Sequence, residues 1–540
     1  IDRFLGAALR HSRLAGPAGF GVERIQEILP WFAQQALIHL TVPHGLEQYS
    51  GAAWGTRDVC QGPVEFLLAL RHHDTVRRIL EKVYCHQYED HAEWPQWFMF
   101  DQYRTVQQDH CHGDVIFWPL KALADYLEAS GDFALLDAPL PFTRRGDFAF
   151  TRTVSPLREH VRRQVDRIEA MFVPGTALVR YGDGDWDDTL QPADESLRTR
   201  MVSGWTVALC YHVLSRWADA ARRAGWQEQA ERAARMADAV RSDFNRLVVR
   251  DGVTAGFLVF EPDGSVRPLL HPQDRVTGIR YRLLPMTRGI IGELFTPGQA
   301  AAHLALLREH LLFADGARLM SDAVPYRGGR SSLFKRGETS AYFGREVSLQ
   351  YTHAHIRYAE AMAKLGRGAD LMQALRVANP VGLREAVPHA SPRQANAYFS
   401  SSDGDFADRY EAGLRYGELK DGRVPVKGGW RIYSSGPGIY LRQVVQNWLG
   451  LRESFGRVVL DPVLDRRLDG LAYACEFEGR SLSLRYNVRD GEHGPRRIAI
   501  NGREVPFARE PNPYRTGGAV IQRSDFLSAL GPGGVVDVTL

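Results

Sequence analysis

At 540 residues the chain is too long for one small core; it is sized for several domains or one large closed ring. Its 67 basic and 64 acidic side chains leave a formal charge of +3, so no global field selects nucleic acid or an anionic membrane. The 5 cysteines are odd in number and scattered without CxxC spacing, which speaks against a disulfide framework or a zinc site and for a reduced, cytoplasmic setting.

No apolar run approaches the roughly 20 residues needed to span a bilayer. The opening IDRFLGAALRHSRLAG lacks the long apolar core of a signal peptide and has no methionine, so the chain is expected to be a fragment or a processed product. From about Gly21 to Arg452, apolar residues recur at intervals of three and four. This spacing predicts helices over 22–40, 64–70, 115–127, 156–171, 201–224, 227–247, 297–312, 347–365 and 439–449. Aromatic and glycine-rich loops, rather than strands at regular spacing, are expected between them. Helices in succession over more than 400 residues fit a closed ring of helical hairpins. The fold expected is therefore mainly α, an (α/α)6 toroid over residues 21–455. A helical solenoid is the alternative, but no repeat of fixed period is visible.

After about Gly456 the pattern changes to short alternating segments at 480–486, 498–500 and 535–540, broken by Asp490-Gly491 and Asn501-Gly502. Residues 456–540 are expected to form a small C-terminal β-sandwich, jelly-roll-like in type. Asn501-Gly502 is the strongest hairpin signal, because both residues tolerate the positive φ of a tight primed turn.

Five stretches carry candidate chemistry. In HGLEQYSGAAWGTRDVCQGP (44–63), aromatics, glycines and Arg57-Asp58 suit a sugar site, where rings stack on the pyranose and Asp and Arg grip its hydroxyls. A structural Arg57-Asp58 ion pair at a helix start is the other reading. WPQWFMFDQY (94–103) and QDHCHGD (108–114) suit a carbohydrate cleft or a hydrophobic plug. His110, Cys111 and His112 are rejected as a metal site because adjacent positions diverge and no second ligand pair has metal-like spacing.

GDGDWDDTL (182–190) packs four carboxylates and one indole into nine residues, with glycines that permit unusual backbone angles. An acidic surface turn or a calcium loop is the bland reading; the chemical one makes Asp188 a general acid with Trp186 as the wall beside it. Such an acid needs burial or neighbouring negative charge to keep its proton, and Asp183, Asp185 and Asp187 could tune and position it. In GETSAYFGREVSLQYTHAHIRYAEAMAKLG (337–366), Arg345, His353 and His355 precede or open a helix, an arrangement that suits an oxyanion; a satisfied core histidine is the alternative. YSSGPGIYLR (433–442) places hydroxyls and glycines before a helix, as a phosphate cradle or as a simple cap and turn.

Together these motifs resemble the inverting disaccharide and oligosaccharide phosphorylases of glycoside hydrolase family 94. DWDD (185–188) is similar to that family's DWND signature, which puts the general acid on Asp188 and a sugar-contacting ring on Trp186. The family's Arg-Asp motif matches Arg57-Asp58, and its phosphate histidine falls on His353, after Arg345-Glu346. Its Thr-Gly clamp falls on Ser434 and Ser435, ahead of Arg442. Glu338 is a second sugar-contact candidate. The strings GLEQYSGAAWGTRDVCQGPVEF and AYFSSSDGDFADRYEA look most like the 1,2-β-oligoglucan-acting branch.

This resemblance implies a hexosyltransferase-type phosphorylase that takes β-1,2-glucooligosaccharide and inorganic phosphate and releases α-glucose 1-phosphate, without metal or organic cofactor. Departures are Gly62 after Gln61, the run Ser400 to Ser402 where a Gln contact is usual, and Ser-Ser for Thr-Gly. They lower the expectation of cellobiose as substrate. The family also has a β-sandwich and helical linker before the toroid, of which residues 1–20 would be the linker's tail. A homodimer or a separate N-terminal β-sandwich segment are the protein partners left open. A phosphorylase for another β-glucoside, an inverting hydrolase on the same toroid and a non-catalytic glucan-binding fragment remain the alternatives.

Overall fold

The computed structural model describes residues 2–41, 53–323, 332–335, 349–429, 435–489 and 493–540. Its first long helix, Val22–Thr41, shows how the three-and-four spacing becomes structure. Val22, Ile25, Leu29, Phe32 and Ala36 share one stripe and are all buried. Helices then follow at Gly62–Ala69, His73–Cys85, Phe117–Ser130, Leu157–Ala170, Gly204–Arg223 and Gln227–Asp243. Leu283–Ile291, Pro297–Leu306, Thr352–Lys364, Gly368–Ala378 and Ser435–Arg442 complete the long series. Leu283–Ile291 lies outside the predicted helices because all of its residues are buried, so it has no polar face to give a period.

The helix expected over 201–224 begins at Gly204, because Met201–Ser203 is held in a strand against Phe257–Phe260. Ser203 then caps the helix, its side chain accepting from the Thr206 amide. The helix expected from 347 likewise begins at Thr352, after the strand Gln350–Tyr351. Such strands correct the expectation of purely irregular loops. Trp54–Gly55, Trp97–Phe98 and Gln107–Gln108 form one small sheet, and Gln350–Tyr351, Ser401–Gly404 and Val426–Gly429 another. They gather loops that are distant in sequence.

Packing orders the helices. Gly62–Ala69 lies against Phe117–Ser130, which lies against Gly204–Arg223; that helix packs on Leu283–Ile291, and Leu283–Ile291 on Thr352–Lys364. Ser435–Arg442 packs on Thr352–Lys364 and also returns to Gly62–Ala69. Large rings fill the interior, with Trp118, Trp217 and Trp448 fully buried.

Beyond residue 450 the regular structure is mostly strand. Leu451–Ser454, Arg457–Leu460, Ala519–Gln522 and Ala508–Arg509 make one sheet. Ala472–Phe477, Arg480–Asn487, Gly533–Thr539 and Arg497–Ile500 make the centre of another. Arg13–Ala15 pairs with Ala472–Phe477, so the start of the chain closes one edge of that second sheet. Asn501 and Gly502 form the expected tight hairpin between Ile500 and Arg503, with φ of 49° and 77°.

Candidate active site

The acid-rich stretch is shaped by its glycines. Gly182 and Gly184 adopt φ of 62° and 138°, and the Gly113 amide donates to the Gly184 carbonyl at 2.9 Å. Two of the candidate stretches, 108–114 and 182–190, thereby lie side by side. Only Asp188–Leu190 forms a helical turn. Asp185 is fully buried; Ser203 Oγ donates to its Oδ2 at 2.7 Å and Arg282 Nη2 lies 3.2 Å from the same oxygen. Its Oδ1 accepts from the Asp187 amide at 2.9 Å. Arg282 also stands 3.8 Å from Asp187, and Arg198 2.9 Å from Asp183. The three neighbouring acids therefore face arginines.

Asp188 is more open, with 24% of its side chain exposed. Its Oδ1 faces Arg57 Nη2 at 3.6 Å and His112 Nδ1 at 3.3 Å. Arg57 is itself steered by Asp114, whose two oxygens accept from Nη1 at 3.0 and 3.2 Å. Trp118 Nε1 donates to Asp114 at 2.9 Å. Burial pushes the Asp114 carboxyl upward, against the pull of Arg57. Gln191 Nε2 donates to His112 Nε2 at 3.0 Å, so the ring proton sits on Nδ1 and points at the Asp185 carbonyl, 2.9 Å away.

A second group meets nearby. Asp58 sits on the one-turn helix Thr56–Val59, Ser435 opens Ser435–Arg442, and His353 is the second residue of Thr352–Lys364. Ser435 Oγ lies 2.8 Å from His353 Nε2 and donates to Asp58 Oδ1 at 3.3 Å. Burial, with Arg357 next in effect, pushes the His353 imidazole down to about 3, so it is neutral. Trp186 is nearly buried and stands between the groups, its ring 4.6 Å from Tyr351 and 5.8 Å from His353.

Beneath lies a set of buried charges. Glu65 accepts from Lys121 at 3.1 Å and from Arg357 at 2.8 Å, and Arg442 reaches both Glu65 and Glu360 at 3.2 Å. Burial works to raise the Glu65 carboxyl, but Arg357, Lys121 and Arg442 together hold it well below the usual carboxylate range. Arg442, which flanks the expected clamp, thus belongs to this layer.

Of the residues singled out in the sequence, the structure brings together Arg57, Asp58, Trp186, Asp188, His353 and Ser435. Glu338, Arg345 and Ser434 lie outside the described residues. His355 is a satisfied core residue: its Nδ1 accepts from the Ala317 amide at 3.0 Å and its Nε2 donates to the Ala374 carbonyl at 2.8 Å. Arg57 turns to Asp114 and Asp188, which sets aside a simple cap pair with its neighbour. Trp94 and Phe98 are fully buried, so this part of the aromatic stretch is a plug. Sequence reasoning missed His112, Asp114 and Arg282. The string QDHCHGD held the signal for the first two, but it was weighed as part of a carbohydrate cleft, a plug or a metal site, with no role given to either residue. Among the described residues no group of His, Cys, Asp and Glu is arranged to hold a metal ion.

Comparison with known proteins matches residues 76–256 to the catalytic domain of the glycosyl hydrolase 94 superfamily and residues 450–537 to a glycoside phosphorylase C-terminal domain. A curated relative, the 1,2-beta-oligoglucan phosphorylase of Listeria innocua, is 47% identical over 504 residues, 93% of this chain and 45% of that protein. Another, the cyclic beta-(1,2)-glucan synthase NdvB of Rhizobium meliloti, is 27% identical over 167 residues, 31% of this chain and 5% of that protein. The chain spans less than half the length of these curated relatives. Among solved structures, a sialidase aligns with a TM-score of 0.58 at 12% identity, covering 97% of this chain and 43% of that one. The GH78 family rhamnosidase of a Bacillus species aligns at 0.54 and 11%, covering 89% and 43%. At such identities the likeness is one of fold alone. Residues 76–256 therefore belong to the glycosyl hydrolase 94 superfamily, and residues 450–537 form a glycoside phosphorylase C-terminal domain.

Proposed function

We propose that the chain carries the catalytic part of an inverting phosphorylase acting on β-1,2-linked glucooligosaccharides. Inorganic phosphate, held by His353 and Ser435 and, as the family resemblance implies, by Ser434 and Arg345, attacks the anomeric carbon of the non-reducing terminal glucose. The bond from that carbon to the glycosidic oxygen breaks, and Asp188 delivers its proton to the departing oxygen. Inversion yields α-glucose 1-phosphate and a shortened glucan, through an oxocarbenium-like transition state. Arg57 orients Asp188, Asp58 grips the transferred glucose, Trp186 forms the wall and Glu338 adds a second sugar contact. Phosphate is a co-substrate, and no metal or organic cofactor takes part.

One observation carries this reading: Asp188 with Arg57, and His353 with Ser435, meet around Trp186 from four segments spread over nearly 400 residues. That the Listeria relative is a 1,2-beta-oligoglucan phosphorylase supports the β-1,2 linkage. The return of Ser435–Arg442 to Gly62–Ala69 supports an (α/α)6 toroid over residues 21–455, and the two sheets beyond support a C-terminal β-sandwich over 456–540. Residues 1–20 are the tail of a linker whose strand joins that sandwich. Among the described residues no helix is long and apolar enough to cross a membrane, and we place the enzyme in the cytoplasm, as a homodimer or joined to an N-terminal β-sandwich segment.

The test is to incubate the chain with sophorose and longer β-1,2-glucans, with and without phosphate, and to assay glucose 1-phosphate and free glucose. Cellobiose and laminaribiose run alongside. Phosphate-dependent glucose 1-phosphate from the β-1,2 substrates is expected. Glucose without phosphate would make the chain a hydrolase, and binding without turnover a glucan-binding fragment.

A further inference from the structure

The buried charges under the site do not balance. Lys121, Arg357 and Arg442 are matched by Glu65, Glu360 and Asp125, through Lys121 Nζ to Asp125 at 2.7 Å and Arg357 Nη1 to Glu360 at 2.7 Å among other bonds. At the edge, Arg216 pairs with Glu128. Arg288, on the Leu283–Ile291 helix, is left over. It is 2% exposed, and among the described residues no carboxylate forms an ion pair with it. Its Nη1 reaches only the Nδ1 of His212, at 3.3 Å, an imidazole that burial and Arg288 itself push down to about 3. Among the described residues its Nε–H has no hydrogen-bond partner. Burial first, and Arg357 next, pull the guanidinium down to about 10. An unpaired cation in such surroundings is among the most unfavourable arrangements a core can hold.

Arg288 lines a cavity of about 20 Å³ together with Arg357, Gln61, His353 and the rings of Trp118 and Trp205. Among the described residues lining it there is no Asp or Glu. Gln61 turns its oxygen toward Arg357 Nη2 at 3.4 Å, and its buried amide nitrogen has no partner among the described residues. Apart from the His353 ring, the lining polar atoms that lack a partner among the described residues, Arg288 Nε, Arg357 Nε and Gln61 Nε2, are donors. So small a volume suits one compact occupant.

We infer that this cavity binds a single small monovalent anion of the halide class, chloride in practice, held by Arg288 and the Gln61 amide behind the sugar and phosphate groups. The anion supplies the missing negative charge of the layer, so the folded chain is stabilised by chloride through mass action.

The test reads stability and electron density, so it needs no turnover and stands apart from the proposed activity. The full chain, exchanged into phosphate-free sodium gluconate, is titrated with sodium chloride at constant ionic strength. A saturable rise in Tm of at least about 2 °C is expected, and Arg288→Met should abolish it. Crystals of the unaltered chain grown with bromide should show an anomalous peak in contact with the Arg288 guanidinium, which decides the matter even if Arg288→Met does not fold. Equal Tm in chloride and gluconate with no bromide peak would overturn the inference. Phosphate density in this cavity would overturn it too, making Arg288 an arm of the phosphate site.

Discussion

Ser435 Oγ stands 2.8 Å from His353 Nε2, although 82 residues separate them and each opens a different helix. The approach depends on glycine. At Gly62 a methyl group would lie 1.9 Å from the Ser435 carbonyl oxygen, and at Gly438 one would lie 2.1 Å from the Gly62 carbonyl oxygen. Backbone meets backbone there, with no flexible side chain to yield.

Gly62→Ala is therefore expected to push Ser435 away from His353 and Asp58. Overpacking of this kind typically destabilises by about 1–3 kcal/mol. A thermal melt and the KM for phosphate together check it: Tm should fall and the phosphate KM should rise. Wild-type values for both would mean that the two helices are not in such close contact.

Asp188→Asn removes the proton donor of the proposed reaction but keeps the shape of the side chain. The turnover number for phosphorolysis should fall on the order of 100 to 10,000-fold, with glucan binding retained. Steady-state kinetics on sophorose measure it, and near-normal turnover would remove Asp188 from its role.

His353→Ala should raise the KM for phosphate far more than that for glucan. Because burial pushes this imidazole down to about 3, it stays neutral across working pH, and the phosphate KM should carry no inflection from it. Equal effects on the two substrates would mark a structural histidine instead.

Asp185→Asn breaks the buried contact with Arg282 and leaves the guanidinium facing a neutral amide. Loss of one partner of a buried pair typically costs about 3–5 kcal/mol, which a urea denaturation curve resolves. The double variant Asp185→Asn/Arg282→Met should be less destabilised than the sum of the two single changes. Simple additivity would deny the coupling.

Acid should destabilise the fold well before the carboxylates titrate. Burial pushes His86 and His355 down to about 4 and His212 and His353 to about 3, whereas an unfolded histidine titrates near 6.5. Below that unfolded value the unfolded chain binds protons that the folded chain refuses, so stability is full above about pH 6.5 and falls as pH drops toward 4. Melting temperatures at a series of pH values test this. A flat profile across that window would contradict burial of these rings as neutral groups.

Much of the helical part was legible in sequence, because a half-buried helix must repeat its apolar residues every three or four positions. Val22–Thr41 and Phe117–Ser130 were found in this way, and the Asn501-Gly502 hairpin by turn chemistry. Leu283–Ile291 was invisible to the same reasoning, since a helix buried on all sides carries no contrast. Met201–Ser203 read as helix because three residues cannot declare a strand that exists only through its partner, Phe257–Phe260.

The same division runs through the site. Residue type and spacing singled out Arg57, Asp58, Trp186 and Asp188, because acids and rings set among glycines are unusual enough to stand out locally, whereas the family resemblance picked His353 over His355 and put the clamp on Ser434 and Ser435. That Arg57 answers to Asp114, that His112 stands over Asp188, and that Arg282 holds Asp185 were decided by tertiary structure. A charge in a chain has many prospective partners, and only the folding that removes water selects which of them it meets.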